Sequence, residues 1–293
     1  MAGDETPVRR VASDFLSNPV AVFGLALLIV IIVVAILAPL ISPQNPYDLA
    51  QLDVTDGRLP PGSKSLSGWT FWLGSDDQGR DMLSAIFYGL RISLSVGVMS
   101  TVIALAIGLA LGLTAAYFGG RTDTIIMRIA DIQLSFPAIL IALILLAVLG
   151  PGTMKIVAAL VTIQWAYYAR TVRGAALVEK RKEYIEAARC LALPPLRIVF
   201  RHLLPNCLPP VMVVAAVQVA AAIALEATLS FLGLGLPITE PSLGLLIANG
   251  YQYLLSGKYW ISFFPGLALL ATILSINLVA DQMRDALNPR LQR

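Results

Sequence analysis

The residues with the strongest claim to chemistry lie in one charged stretch, residues 179–206, which reads EKRKEYIEAARCLALPPLRIVFRHLLPN. Glu183, Glu186, Arg189 and Lys182 fall on one side of a helix expected over 180–192, while Ile185, Ala188 and Leu191 recur at three-residue spacing on another. Pro194-Pro195 must end that helix, because proline clashes with the preceding turn and drives the residue before it out of helical conformation. A second helix over about 196–203 then leads to Leu204 and Pro205. Helix, sharp turn and helix make a rigid knob that suits a groove on a partner. The methyl groups of Ala187 and Ala188 allow close backbone approach, and Glu186 can pair with a basic group there. The bland alternative is a basic loop resting on anionic lipid.

Other polar residues stand inside apolar stretches. Glu226 is a carboxylate in a long uncharged window, where ionisation is costly, so it is a functional candidate by default. It could line a transport path and attract an ammonium group, or tie helices together through hydrogen bonds. Gln164, with Trp165, Tyr167 and Tyr168, could contact a solute, although an interfacial belt explains the tyrosines. Gln133 and Asn277 suit interhelical hydrogen bonds, and Gly108 and Gly112 with Ala104 form a small-residue stripe for close packing. His202 lacks the company a metal ligand needs, and Cys190 and Cys207 read as small apolar fillers, so no metal site is expected. Gly57 and Gly62 have the spacing of a phosphate loop, but Ser63 stands where lysine is required, and no nucleotide site is expected.

The elements that must position these residues are set by composition. The chain has 293 residues, of which 57% are hydrophobic and 13% charged, with mean hydropathy +0.78. A soluble domain carries about twice that charged fraction. The apolar excess must face lipid, and the expected class is an all-α polytopic membrane protein. A net charge of +3 gives no ground for nucleic-acid binding. Uncharged windows over 20–41, 92–120, 132–154, 156–169, 208–236 and 259–280 give six expected spans, the fourth extendable through Arg170 and Arg173 if those side chains snorkel. The first window is longer than the core of a signal peptide and reads as an uncleaved anchor. With both termini cytoplasmic, 15 of 21 basic residues lie inside, among them Arg9, Arg10, Arg290 and Arg293.

Residues 1–18 are expected to form a cytoplasmic tail and 19–293 a single membrane domain. Its outer-face segment, 42–90, begins with Ser42-Pro43-Gln44-Asn45-Pro46 and continues through Gly57, Pro60, Pro61 and Gly62, which signals irregular structure. From about Asp76 to Arg91, Met82, Leu83, Ile86, Phe87 and Leu90 return at helical spacing, which predicts a short amphipathic helix at the outer interface.

Glu186-Ala187-Ala188, then Ala192, His202 and Leu204-Pro205 at matching spacing, resemble the EAA motif of integral permease subunits of ABC importers, with alanine at 192 where that family has glycine and histidine at 202 where it often has isoleucine. Residues 73–84, reading LGSDDQGRDMLS, with Tyr88-Gly89 and Arg91-Ile92-Ser93-Leu94, Phe231-Leu232-Gly233-Leu234-Gly235, and residues 284–291 are similar to the peptide-type subfamily, most of all its second, C-type subunit for dipeptides, oligopeptides and nickel. The resemblance implies a type I ABC importer permease fold in which the loop 179–206 holds a cytoplasmic coupling helix. It implies an ATPase-docking role for Glu186, Ala187, Ala188, Ala192, Leu204 and Pro205, with ATP and Mg bound by one or two partner ATP-binding subunits and no cofactor in this chain. It implies a homologous second permease, an extracytoplasmic substrate-binding protein that docks on 42–90 and 236–258, and a bacterial inner membrane location. The implied cargo is a di- or oligopeptide, with a nickel chelate or another small peptide-like solute as the alternative. A transporter or channel working without ATP is the remote competitor; the inverted repeats and paired broken helices usual in that class are not evident.

Overall fold

The computed structural model describes residues 15–48, 52–65, 68–237 and 239–287. Most of the expected N-terminal tail, with Arg9 and Arg10, and the C-terminal Arg290 and Arg293 lie outside the described residues.

The first helix, α1 (Pro19–Ile41), starts where Asn18 accepts hydrogen bonds from the Val20 and Ala21 amides. The chain then forms an irregular cap containing a two-stranded antiparallel hairpin, β1 (Ser63–Lys64) with β2 (Thr70–Phe71), in which Ser63 faces Phe71. Next comes α2 (Met82–Phe118), 37 residues long and therefore about 55 Å from end to end. The separate interfacial helix expected over 76–91 is corrected here: its apolar residues form the first turns of α2, and 76–81 is a buried turn in front of it. Asp81 caps α2 by accepting from the Ser84 amide at 2.8 Å.

Two shorter helices follow, α3 (Gly120–Leu134) and α4 (Ala138–Leu149). The expected third span is bent: α3 and α4 cross at 88°. Twelve residues of α4 reach only about 18 Å, less than a hydrocarbon core. The bend falls at Pro137, whose extended backbone begins α4. After α4 come α5 (Thr153–Glu179), α6 (Glu183–Cys190), α7 (Pro195–Phe231), α8 (Leu243–Tyr251) and α9 (Trp260–Ala286). Taken singly, α1, α2, α7 and α9 are long and apolar enough to cross a membrane, and α3 with α4 would supply a fifth crossing. The fourth expected span corresponds to α5, which tolerates Gln164, Arg170 and Arg173 because its neighbours meet them. Arg173 pairs with Asp123 at 2.5 Å and Arg170 pairs with Asp131, both on α3, so these arginines are held by carboxylates.

The helices α2 and α5 pack along most of their shared length. Their approach depends on the small-residue stripe: a methyl group on Gly112 would stand 2.6 Å from the Ala169 carbonyl oxygen, and one on Gly108 would overlap Tyr168. On the far side Val96, Leu146, Leu160 and Leu229 join α2, α4, α5 and α7 in one core, and Ile31, Met82, Leu243 and Ile261 join α1, α2, α8 and α9 in a second.

Candidate coupling knob and polar groove

The charged stretch after α5 folds into a knob, α6 followed by the first turns of α7. Glu183 and Glu186 occupy the first turn of α6 and Arg189 the last, each favoured by the local end of the helix dipole. The expected helix 180–192 is shorter at both ends. It stops in a Schellman turn, with the Ala192 amide bonded to the Arg189 carbonyl at 2.8 Å and the Leu193 amide to the Ala188 carbonyl at 3.2 Å. That turn places Ala192 at φ 52°, the left-handed region where glycine is the usual occupant. Alanine therefore accepts the geometry glycine would give, at a cost of about 1 kcal/mol.

Pro194-Pro195 separates α6 from α7 as expected, but no break occurs at Pro205. Residues 198–203 adopt a π-helical turn, and the Leu204 amide reaches back to the Val199 carbonyl. The wider turn absorbs the register change that a proline lacking an N–H imposes, so α7 runs on through Pro205, Pro209 and Pro210.

Ile185, Ala188 and Ile198 are buried together, packed by Leu193 and by Tyr117 from the end of α2. The knob is thus bolted to α2. Lys180 adds to this mount by donating from Nζ to the carbonyls of Ala116 at 2.8 Å and Tyr117 at 2.7 Å, with its charge 5.8 Å from the Tyr117 ring centroid. Glu179 accepts from Lys182 at 2.6 Å and from the Tyr184 hydroxyl at 2.7 Å. Partial burial, with the Glu179 contact adding to it, pushes the Tyr184 phenol up to about 12, so it stays a donor at neutral pH.

Among the sequence-predicted residues of the knob, Glu186, Ala187, Ala192 and Pro205 are exposed, Ala188 faces inward and Leu204 is half-buried against the base of the bundle. The same knob exposes Leu191, Leu196 and Phe200, at 74%, 71% and 61% of their surface. Leu191, expected on the apolar face with Ile185 and Ala188, stays outside their buried cluster, and Leu196 and Phe200 were not singled out from the sequence.

The two intramembrane candidates part company. Glu226 is fully buried and accepts from Ser93 on α2 at 2.9 Å and from Ser230 at 2.8 Å, close to where Gly244 of α8 packs on Ala227. Gln164 lines a groove of about 500 Å³ between α4, α5 and α7, together with Tyr167, Gln218, Ala221 and Thr228. It donates to the Gln218 carbonyl at 3.3 Å. A second, larger cavity of about 860 Å³ opens toward the knob end between α5, α7 and α9, with Glu179, Asp281 and Arg284 at its rim.

On the outer side, Asp76 and Arg80 form a buried ion pair at 2.6 Å, Gln44 accepts from the Asp81 amide at 2.6 Å, and the Trp260 indole donates to the Ser75 carbonyl at 3.2 Å. Burial raises the carboxyls of Asp77 and Asp81 above the ordinary aspartate range. Among the described residues no group of three or more histidine, cysteine, aspartate or glutamate side chains could hold a metal ion.

A bundle of apolar helices with a charged knob fixed to its end is the arrangement of a membrane transport subunit. Residues 108–293 match the family model described as the binding-protein-dependent transport system inner membrane component, and residues 6–61 that of the N-terminal TM domain of oligopeptide transport permease C. The chain is 36% identical to the di/tripeptide transport system permease protein of Pseudomonas aeruginosa over 98% of its own length and 93% of that protein's. It is 37% identical to the dipeptide transport system permease protein of Bacillus subtilis, covering 94% of this chain and 83% of the relative. The oligopeptide permease of the same organism is also 37% identical, over 95% and 88%. The fold matches a chain of the inward-facing MetNI methionine ABC transporter with a TM-score of 0.58, over 71% of this chain and 98% of that one, at 22% identity. This chain belongs to the family of binding-protein-dependent transport system inner membrane components, and its fold is that of a type I ABC importer permease.

Proposed function

We propose that this chain is the C-type membrane subunit of an importer of di- or oligopeptides, driven by ATP that a cytoplasmic partner binds with Mg and hydrolyses. The observation that carries the reading is the knob. Glu186 and Ala187 stand exposed, as do Leu191, Leu196 and Phe200, on a base locked to α2 through Tyr117 and Lys180. Exposed Leu191, Leu196 and Phe200 set among charges of both signs, Glu183 and Glu186 with Arg189, Arg197 and Arg201, on a rigid base suit a groove on another protein better than a lipid surface, which would favour basic residues alone. Movement of that groove on nucleotide binding would carry α6 and turn the spans between inward- and outward-open states.

The remaining partners follow from the family. A homologous second permease forms the other half of the pore as a heterodimer, one or two ATP-binding subunits sit on the cytoplasmic side, and an extracytoplasmic binding protein delivers cargo to the outer cap and the loop before α9. Both termini are cytoplasmic, in a bacterial inner membrane. Peptide cargo is carried over from the named activities of the three permeases, and a nickel chelate is the second reading. Within the bundle, Gln164 belongs to the transport path, and Glu226, sealed between Ser93 and Ser230, ties α2 to α7.

Affinity purification of the tagged chain in mild detergent, wild type against Glu186→Arg, tests the reading. Wild type is expected to bring down an ATPase and a second permease, and the variant to lose the ATPase while keeping the permease. Purification of the wild type alone, with uptake into liposomes independent of ATP, would overturn it.

A further inference from the structure

A partly open face of α7 runs through Val214, Val217, Gln218, Ala221 and Thr228, and Gln218 alone among these lines both the 860 Å³ cavity and the 500 Å³ groove. It stands near the middle of the straight part of α7, level with Gln164 and Thr101, whose side chains approach each other at 3.4 Å. Gln164 is satisfied by Thr101 and by the Gln218 carbonyl. The Gln218 side chain, by contrast, is half-buried and makes no hydrogen bond to any described residue. A carboxamide left without a partner in hydrocarbon costs several kcal/mol, so this one faces water or a polar solute.

We infer that Gln218 marks the waist of a water-filled half-path along α7, and that its carboxamide hydrogen-bonds the amide groups of a passing peptide. The inference rests on the permease reading above and adds the substrate contact to it. The lining of the outer groove carries its chemistry: the Gln218 carboxamide and the Tyr167 hydroxyl offer hydrogen bonds among Ala138, Ile139, Ala221, Ala224 and Leu225, and no ionisable carboxylate, amine or guanidinium is present. Such a lining complements the peptide bond, which every peptide carries, and is indifferent to side-chain charge. Glutamine matches an amide with one donor group and one acceptor. Charges appear only at the wide inner mouth, where Glu179, Asp281 and Arg284 stand and a peptide would leave into water.

The test uses the whole complex in proteoliposomes, with Gln218→Cys placed on a Cys190→Ser, Cys207→Ser background and a membrane-impermeant, anionic thiol reagent. Ile144→Cys, on the outer face of α4 where 66% of the native side chain is exposed, is the comparison site. The Gln218→Cys variant is expected to react at least about tenfold faster than the Ile144→Cys variant, since only a hydrated thiol ionises, and a neutral dipeptide delivered during turnover is expected to slow it. Gln218→Leu is expected to lower dipeptide uptake about tenfold, the loss of roughly one hydrogen bond, with Gln218→Asn restoring most of it and the thermal midpoint of the complex unchanged. Equal labelling at the two sites, or a Gln218→Leu complex that transports like wild type, would overturn the inference. Failure of the permease reading would be seen separately, as a wild-type complex that never holds an ATPase.

Discussion

At the scale of single residues, the knob depends on one backbone conformation that its side chain disfavours. Ala192 sits at φ 52° because the Schellman turn after α6 requires a left-handed residue there, and the turn is fixed from both sides by the Arg189 and Ala188 carbonyls. Ala192→Gly removes the Cβ strain without touching a contact surface, although the freer glycine gives part of that gain back in the unfolded chain. The expected net effect is stabilisation of the knob by up to about 1 kcal/mol. Hydrogen exchange at the amides of 185–193 measures this, and slower exchange in the variant is the expected outcome; faster exchange would mean that the turn is not left-handed in the membrane. The resemblance pointed to this position, since glycine is the family's residue, but whether an alanine would bend the turn or follow it was a matter of tertiary support. The Ile185, Ala188 and Ile198 cluster, closed over by Leu193, decides that it follows. Gln218 was illegible for a different reason. Set in a run of valine and alanine, it reads as a packing residue until the structure shows that no neighbour answers its carboxamide.

At the scale of elements, the most extensive helix contact in the bundle hangs on two missing side chains. A methyl group on Gly112 would meet the Ala169 carbonyl oxygen at 2.6 Å and the Val172 Cβ at 2.8 Å, both on α5, where the backbone cannot retreat without opening the core around Val172 and Cys207. Gly112→Ala is therefore expected to destabilise the protein by about 1–3 kcal/mol, the range for overpacking a tight interior. Gly174→Ala is the control, because nothing lies within 4 Å of a methyl group there and the helix gains propensity. Thermal unfolding in detergent, read for both variants, should lower the midpoint for the first and leave or raise it for the second. The stripe itself was visible in the sequence as Ala104, Gly108 and Gly112, but not which helix it receives. Boundaries fared unevenly for a physical reason. Uncharged windows mark where lipid or core begins, and they located α1, α7 and α9. They say nothing of a helix that continues past the bilayer, as α2 does through its buried outer turns, or of one that bends inside it, as α3 and α4 do at Pro137.

At the scale of the whole molecule, α2 touches both functional ends. Its outer end is capped by Asp81 and pinned by Gln44 and Ser84 to the cap, and its inner end carries Tyr117 against the knob and presents the Ala116 and Tyr117 carbonyls to Lys180. A helix of 37 residues held at each end by charge-assisted or buried hydrogen bonds would carry a tilt of the knob to the outer cap. Lys180 is the inner attachment that can be altered without emptying the Ile185–Ile198 core. Lys180→Met keeps the stem that covers Tyr117 and removes the two donors that answer the last carbonyls of α2. The ATPase should still bind, since Glu186, Leu196 and Phe200 are untouched, yet stimulation of ATP hydrolysis by the loaded binding protein should fall about tenfold, as expected when charged hydrogen bonds of roughly 1.5–3 kcal/mol no longer hold the lever. Lys180→Arg, which keeps the charge and the donors, should recover a large part of that stimulation. A variant that loses the ATPase altogether would place Lys180 in the docking surface instead. One that keeps full stimulation would show that the Tyr117 packing alone carries the motion from one side of the membrane to the other.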